Sequence, residues 1–437
     1  MKIGTPVLAF SFLLLAAAPQ DKDKLREGLK DTELQGAWIY DDLDAGIAEA
    51  KKSGKPLMVT LRCVPCVTFK GFDKQVGKRE DPDLAAVMEK FVCVRLVQAY
   101  GLDLSLFQFD LDLNWAVVLM NADRTIYGRY GTKNGEKGNA ARVTVEGLRK
   151  ALETTLDFHK GYPGNRKDFE AKTGPAPTWK TPEAIPDMKN RPNAVPADGT
   201  RQKCIHCHMV HEAEMWTLRM TKQPIPETLI WSYPNPEVVG LTLDLKERAT
   251  LKSVGPGSLA EKGGFKAGDS IVKLGGQPIL SIADVQWVLQ TAKDGSTLDA
   301  ELQREGKAAK ASLALAEGWR RKDDFTWRTQ VWGMRHRLLG TQPLEALSAD
   351  DRQKQGIAGD GLALRIKGFP PNFVKEKNAE AAQKFQKDDV IVDVDGKKDL
   401  SGESGLLAHL FLKKPGESAD FTVLRGGKRE KVTLTIP

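Results

Sequence analysis

Leu57-Met58-Val59-Thr60-Leu61-Arg62-Cys63-Val64-Pro65-Cys66 decides how this chain is read. Leu57 to Leu61 has the apolar, β-branched character of a buried strand, and it hands over directly to two cysteines spaced as C-x-x-C. Upstream, Trp38-Ile39-Tyr40 opens a strand, and Asp41 and Asp42 offer N-caps to a helix bearing Leu43, Ile47 and Ala50. Ser53-Gly54-Lys55-Pro56 stops that helix. Downstream the pattern predicts a helix, a strand over 91–97, a hairpin of 116–121 with 126–130, and a closing helix over 145–159.

The resulting β-α-β-α-β-β-α order is that of thioredoxin, so residues 36–160 are expected to form an α/β thioredoxin-like domain. Cys63 would sit at a helix N-terminus, whose N–H groups favour a thiolate, with Arg62 as a positive neighbour. Cys66 would resolve a mixed disulfide. A purely structural disulfide is the competing reading. Thioredoxins place a cis-proline facing the dithiol, and here that position holds Asn114-Trp115-Ala116. Cys93 lies in an apolar strand and reads as a buried thiol.

A second cysteine pair carries different chemistry. Cys204-Ile205-His206-Cys207-His208 is a C-x-x-C-H string, the attachment site of c-type haem. Cys204 and Cys207 would form thioethers, and His208 would be the axial iron ligand of a covalent haem c. Two alternatives stay open: zinc held by Cys204, Cys207, His208 and His211, or a plain disulfide. Met188, Met215, Met220, Met334 and His336 are the candidates for a distal haem ligand. Eleven of the 23 prolines fall within 161–238, so this segment is expected to be irregular.

The 437 residues suggest about three domains. The net charge of +7 is interleaved along the chain without a basic block, which argues against a nucleic-acid partner. Lys2 precedes the apolar run 6–18, which ends in Ala16-Ala17-Ala18 and is short for a membrane span. Residues 1–18 therefore read as a secretory signal, 19–35 as a charged leader, and the protein as exported, periplasmic or extracellular. No later stretch reads as a transmembrane helix.

Laid on itself at an offset of 120 to 121, the chain repeats. Gly240-Leu241-Thr242-Leu243 matches Gly361-Leu362-Ala363-Leu364, and Gly268-Asp269-Ser270-Ile271-Val272 matches Asp388-Asp389-Val390-Ile391-Val392. With Gly255-Pro256-Gly257-Ser258, Gly263-Gly264-Phe265 and Gly275-Gly276, the first copy closely resembles bacterial PDZ domains. It spans 239–317, a Trp-rich connector spans 318–358, and a degenerate PDZ-like copy spans 359–437. The two copies are expected to be β-rich α+β domains. Gly240, Leu241, Thr242 and Leu243 stand where such domains capture a peptide carboxylate, so the implied partner is a protein C-terminus. The second copy is expected to serve packing. Gly268-Asp269-Ser270 looks like a serine-protease nucleophile but reads as the start of a PDZ strand.

The whole arrangement resembles a bacterial family of thioredoxin-like/PDZ proteins, some of whose members carry selenocysteine. The strings that carry the resemblance are Cys63 to Cys66, Tyr127-Gly128-Arg129-Tyr130-Gly131, Cys204 to His208, Ser281-Ile282-Ala283-Asp284-Val285-Gln286-Trp287-Val288 and Gly318-Trp319-Arg320. The resemblance implies redox chemistry. The expectation is an exported thiol–disulfide protein with haem c and PDZ-mediated recruitment; a non-enzymatic scaffold and a dedicated cytochrome are the rivals.

Overall fold

A computed structural model describes residues 22–133, 141–189, 205–370 and 379–437. The expected signal over 1–18 lies outside them, as does Cys204. Part of the expected leader is a helix, α1 (Lys22–Leu29), which buries Leu25 and Leu29 against Val97.

The first domain follows the expected order, with one extra helix. It runs β1 (Ile39–Tyr40), α2 (Leu43–Ser53), β2 (Leu57–Arg62), α3 (Lys70–Lys78), α4 (Pro82–Met88), β3 (Val92–Leu96), β4 (Trp115–Met120), β5 (Ile126–Tyr130) and α5 (Val145–Lys160). Asp42 caps α2 by accepting from the Ala45 N–H, and Gly54 ends it at φ +69°, a left-handed conformation that costs glycine little. The sheet order is β1-β3-β2-β4-β5, so β2, which delivers the cysteines, is central. It pairs parallel to β3 and antiparallel to β4, and all six of its residues are buried.

The segment after α5 is mostly short helices and turns, including α6 (Pro186–Lys189), α7 (Cys207–Met220) and α8 (Glu227–Ile230). The first PDZ-like unit then contains β6 (Leu241–Leu243), β7 (Leu251–Val254), α9 (Leu259–Lys262), β8 (Ser270–Leu274), β9 (Gln277–Pro278), α10 (Ile282–Thr291), β10 (Thr297–Arg304) and β11 (Lys307–Ala314). Ser270 begins β8, as expected, and Asp269 is tied up by two Arg304 nitrogens and the Lys266 N–H. The connector holds α11 (Gln330–Leu338), β12 (Glu345–Ala346) and α12 (Ala349–Lys354). The second unit follows with β13 (Leu364–Arg365), α13 (Ala379–Lys384), β14 (Val390–Val394), α14 (Gly402–Leu412), β15 (Ser418–Arg425) and β16 (Lys428–Thr435). Its sheet is β12-β13-β14-β15-β16, so the connector contributes its edge strand. No described helix is long and apolar enough to cross a membrane.

Both PDZ-like helices are covered by other parts of the chain. The N-terminal end of α10 seats on β5: Arg129 N–H donates to Asp284 Oδ1 at 3.1 Å, Ser281 Oγ donates to the Arg129 carbonyl, and Thr132 Oγ1 donates to Gln286 Oε1 at 2.7 Å. Lys172 Nζ pairs with Asp284 at 3.0 Å with both side chains fully buried. A Cβ on Gly128 would come within 2.6 Å of Asp284 Oδ2, so only glycine permits this approach. In the second unit, α14 packs on α11, and Glu403 accepts two hydrogen bonds from Arg335, at 2.6 and 3.0 Å.

The connector also reaches back to the first domain. Arg328, fully buried, donates from Nη1 to Asp110 Oδ1 at 2.7 Å and to Asp112 Oδ2 at 3.1 Å, and from Nη2 to the Ser232 and Tyr233 carbonyls. His211 of α7 faces Asp112 at 3.6 Å and contacts the Leu229 carbonyl through Nε2 at 2.7 Å. Burial alone would raise the Asp112 carboxyl, but the His211 hydrogen bond and the Arg328 charge overcome it and hold it far below the ordinary carboxylate range. Removing the guanidinium would take the ion pair from buried Asp110 and leave buried Asp112 to pair with His211. Arg328→Met should therefore destabilise the chain by about 3–5 kcal/mol, read as a lowered urea midpoint with loss of the α7–Asp112 contact.

Candidate functional site

Pro65 reshapes the end of β2. Its ring disfavours helical backbone at Val64, so the helix expected at Cys63 does not start there. A turn closed by Cys66 N–H on the Cys63 carbonyl at 3.0 Å takes its place, and α3 begins only at Lys70. Cys63 thus lacks the helix N-terminus expected of it. Arg62 turns inward rather than toward the sulfurs: Nε donates to Asp73 at 3.0 Å, Nη1 to the Asn114 carbonyl at 3.0 Å, and Nη2 to the Cys66 carbonyl at 2.8 Å. It braces the turn from below.

The brace belongs to a buried charge lattice. Arg95 on β3 donates to Asp31 at 2.7 and 3.0 Å and to Asp73 at 2.8 and 2.9 Å. Trp115 Nε1 adds a 3.0 Å hydrogen bond to Asp73. Burial opposes ionisation of Asp73, yet Arg95 and Arg62 outweigh it and keep its carboxyl below the usual value. In place of a cis-proline contact, Cys63 N–H donates to the Asn114 carbonyl at 3.0 Å.

Cys63 and Cys66 are joined as a disulfide, and the two motifs meet there. His206, an interior residue of the C-x-x-C-H string, places Nδ1 2.9 Å from Cys63 Sγ and 3.8 Å from Cys66 Sγ. Ile205 is buried and its carbonyl accepts from Ala99 N–H at 3.1 Å, which fixes the approach of His206. Burial lowers the His206 pKa, so the ring is neutral near pH 7. Residue Cys63 is only 6% exposed, while Cys66 is half-buried. The sequence singled out both cysteines but not His206; 143 residues separate it from Cys63, and its position in the string is one that any residue fills.

The rest of the C-x-x-C-H string opens α7. Burial pushes the Cys207 thiol up to about 12. Burial and the neighbouring His206 push His208 down to about 4, with Asp112 partly opposing. Cys207 and a neutral His208 on one helical turn are donor types that haem c would use, while Cys204, the other expected thioether site, lies outside the described residues. The space shared by Cys63, His206 and Cys207 is about 10 Å³, room for about one water. His211 has its two ring nitrogens directed at Asp112 and the Leu229 carbonyl, which removes it from any zinc set with His208. The distal candidates scatter: Met188 packs in the first core, Met215 and Met334 in another, Met220 is exposed, and His336 lies against Trp332. Cys93 is buried as expected, its thiol pushed up to about 11 by burial.

Gly240 to Leu243 lie at β6. Gly240 adopts φ +91°, and its N–H donates to the Glu237 carbonyl at 2.9 Å. β6 pairs with β7 on one side and with no described strand on the other, so it offers an edge to an added strand.

Comparison with known proteins agrees with this division. A thioredoxin-like family model matches residues 38–122, and PDZ domain models match 250–304 and 366–436. The periplasmic pH-dependent serine endoprotease DegQ of Escherichia coli is 31% identical over 153 residues, 35% of this chain and 29% of DegQ. The periplasmic serine endoprotease DegP of Salmonella typhimurium is 39% identical over 77 residues, 18% of this chain and 16% of DegP. The chain thus spans less than a third of either relative. Among solved structures, the HtrA3 PDZ domain bound to a phage-derived ligand is 29% identical over 18% of this chain and 72% of that one, at a TM-score of 0.14. The chain carries a thioredoxin-like domain followed by two PDZ domains.

The His206 contact predicts a measurable reactivity. In the reduced protein a neutral imidazole that donates Nδ1–H to the Cys63 sulfur favours its thiolate by that hydrogen bond. His206→Ala should slow alkylation of Cys63 at pH 7 and move the alkylation–pH profile to higher pH, as followed by mass spectrometry; an unmoved profile would leave His206 without influence on the thiol.

Proposed function

We propose that this is an exported thiol–disulfide exchange protein that recruits a protein partner through its first PDZ domain. The observation that carries this reading is a Cys63–Cys66 disulfide at the end of the central strand with His206 Nδ1 2.9 Å from Cys63 Sγ. A partner thiolate attacks the more open Cys66 sulfur, forming a mixed disulfide and expelling Cys63 as the thiolate. His206 stabilises that leaving sulfur by a hydrogen bond from Nδ1–H, and a better leaving thiolate departs faster. A second partner thiol then releases Cys66 and leaves the dithiol reduced. Run in the opposite direction, the Cys63 thiolate attacks the mixed disulfide on Cys66, so Cys63 rather than Cys66 takes the resolving role. Arg62 keeps the Cys66 carbonyl, and hence the turn, in place through both steps.

Export is supported by the signal-like residues 1–18 and by the periplasmic placement of the relatives DegQ and DegP. Peptide capture at Gly240, Leu241, Thr242 and Leu243 is supported by the open edge of β6. Haem c on Cys204 and Cys207, with His208 as ligand, is a further part of the proposal, and when bound it would supply one-electron transfer. A band of c-type haem that survives acid-acetone extraction, in protein made with cytochrome maturation factors, is the expected result.

Cys63→Ser should abolish turnover of a model disulfide while leaving peptide binding at the first PDZ domain intact. Unchanged turnover would transfer the assignment to a scaffold with structural cysteines.

A further inference from the structure

The residues that meet at the end of β2 form a second kind of site. Cys63 Sγ, Cys66 Sγ and His206 Nδ1 lie within 4.8 Å of one another and come from two distant parts of the chain, and Cys63 and His206 also line a small space of about 10 Å³. Two sulfurs and one imidazole nitrogen are the donor types that zinc selects. Its bond lengths put tetrahedral ligands about 3.8 Å apart for two sulfurs and about 3.5 Å for sulfur and nitrogen. The Cys66–His206 separation of 3.8 Å already suits this, and the Cys63–His206 separation of 2.9 Å needs to open by roughly 0.6 Å to match that spacing. Opening the disulfide moves the two sulfurs apart in the sense required, and a Cα–Cα distance of 5.5 Å leaves the backbone where it is. Ile205, held by the Ala99 N–H, anchors the backbone that carries the imidazole.

We propose that the reduced form of Cys63 and Cys66, together with His206, binds a zinc ion whose fourth position is open to water. The disulfide first takes two electrons and two protons from an external dithiol, which becomes a disulfide in turn. Zinc then displaces one proton from each thiol, and the two thiolates neutralise its charge. Disulfide and zinc are mutually exclusive, because both use the same two sulfurs. This site differs from the C-x-x-C-H string: His206 belongs to both motifs, but neither Cys204 nor His208 is required. The inference needs only that the disulfide can be reduced, not that the protein catalyses exchange.

The test uses the full chain, reduced with a phosphine, desalted without oxygen and titrated with zinc against a chromophoric chelator. Cobalt substitution reports thiolate ligation by its charge-transfer absorption. One zinc per chain is expected for the unaltered protein and for Cys204→Ser/Cys207→Ser. Cys63→Ser/Cys66→Ser should lose it, and His206→Ala should weaken it by more than the roughly tenfold to hundredfold that loss of a supporting partner costs. Far-UV circular dichroism of each variant and a His206→Asn chain separate ligand loss from misfolding. Absence of stoichiometric zinc would overturn the proposal, as would zinc lost from the Cys204/Cys207 variant and kept by the Cys63/Cys66 variant. Model-disulfide turnover is read in parallel: zinc binding without turnover sustains this site and removes exchange, and turnover without zinc does the reverse.

Discussion

A single guanidinium buried between two carboxylates holds the functional end of this molecule together. Arg328 comes from the connector, Asp110 and Asp112 from the loop before β4, and Asp112 in turn faces His211 on α7. Charges this deeply buried are tolerated only when each is met by opposite charge and hydrogen bonds, so the three segments must arrive together. The helix that begins at Cys207 is thereby fixed against the thioredoxin-like domain, and the residue just before it, His206, reaches the disulfide. Without this clamp the two cysteine motifs would be neighbours only by chance.

A second charge lattice acts from the other side of the sheet end. Asp31, Arg95, Asp73 and Arg62 form a chain that finishes on the carbonyl of Cys66. The dithiol turn therefore rests on fixed ionic support and faces a neutral imidazole. The nearest polar neighbour of Cys63 is that imidazole rather than a helix N-terminus, since α3 starts seven residues past Cys63.

Periodicity made much of this legible. The strand before Cys63, the capped helix α2, the β4–β5 hairpin and the glycine-rich repeat all follow from local pattern, because each buries a face whose spacing the chain spells out. The failures have local causes too. Pro65 cancels the helix expected at Cys63, and α1 forms within the charged leader, where Leu25 and Leu29 find Val97. β12 joins the second PDZ sheet from within the connector. His206 could not be found from sequence, since its role depends on a fold that closes 143 residues of chain. The strings around Gly128 and Asp284, which looked like separate family marks, are two halves of one contact.

That contact reaches beyond stability. With α10 fastened to β5, and β5 linked through β4 to β2, the PDZ groove cannot swing independently of the disulfide. A tail held along β6 would present the rest of its protein at one set separation from Cys66. Under the proposed function, selection among partners would then become a matter of measure: the molecule would act as a ruler, favouring clients whose cysteine lies the right span from their last residue.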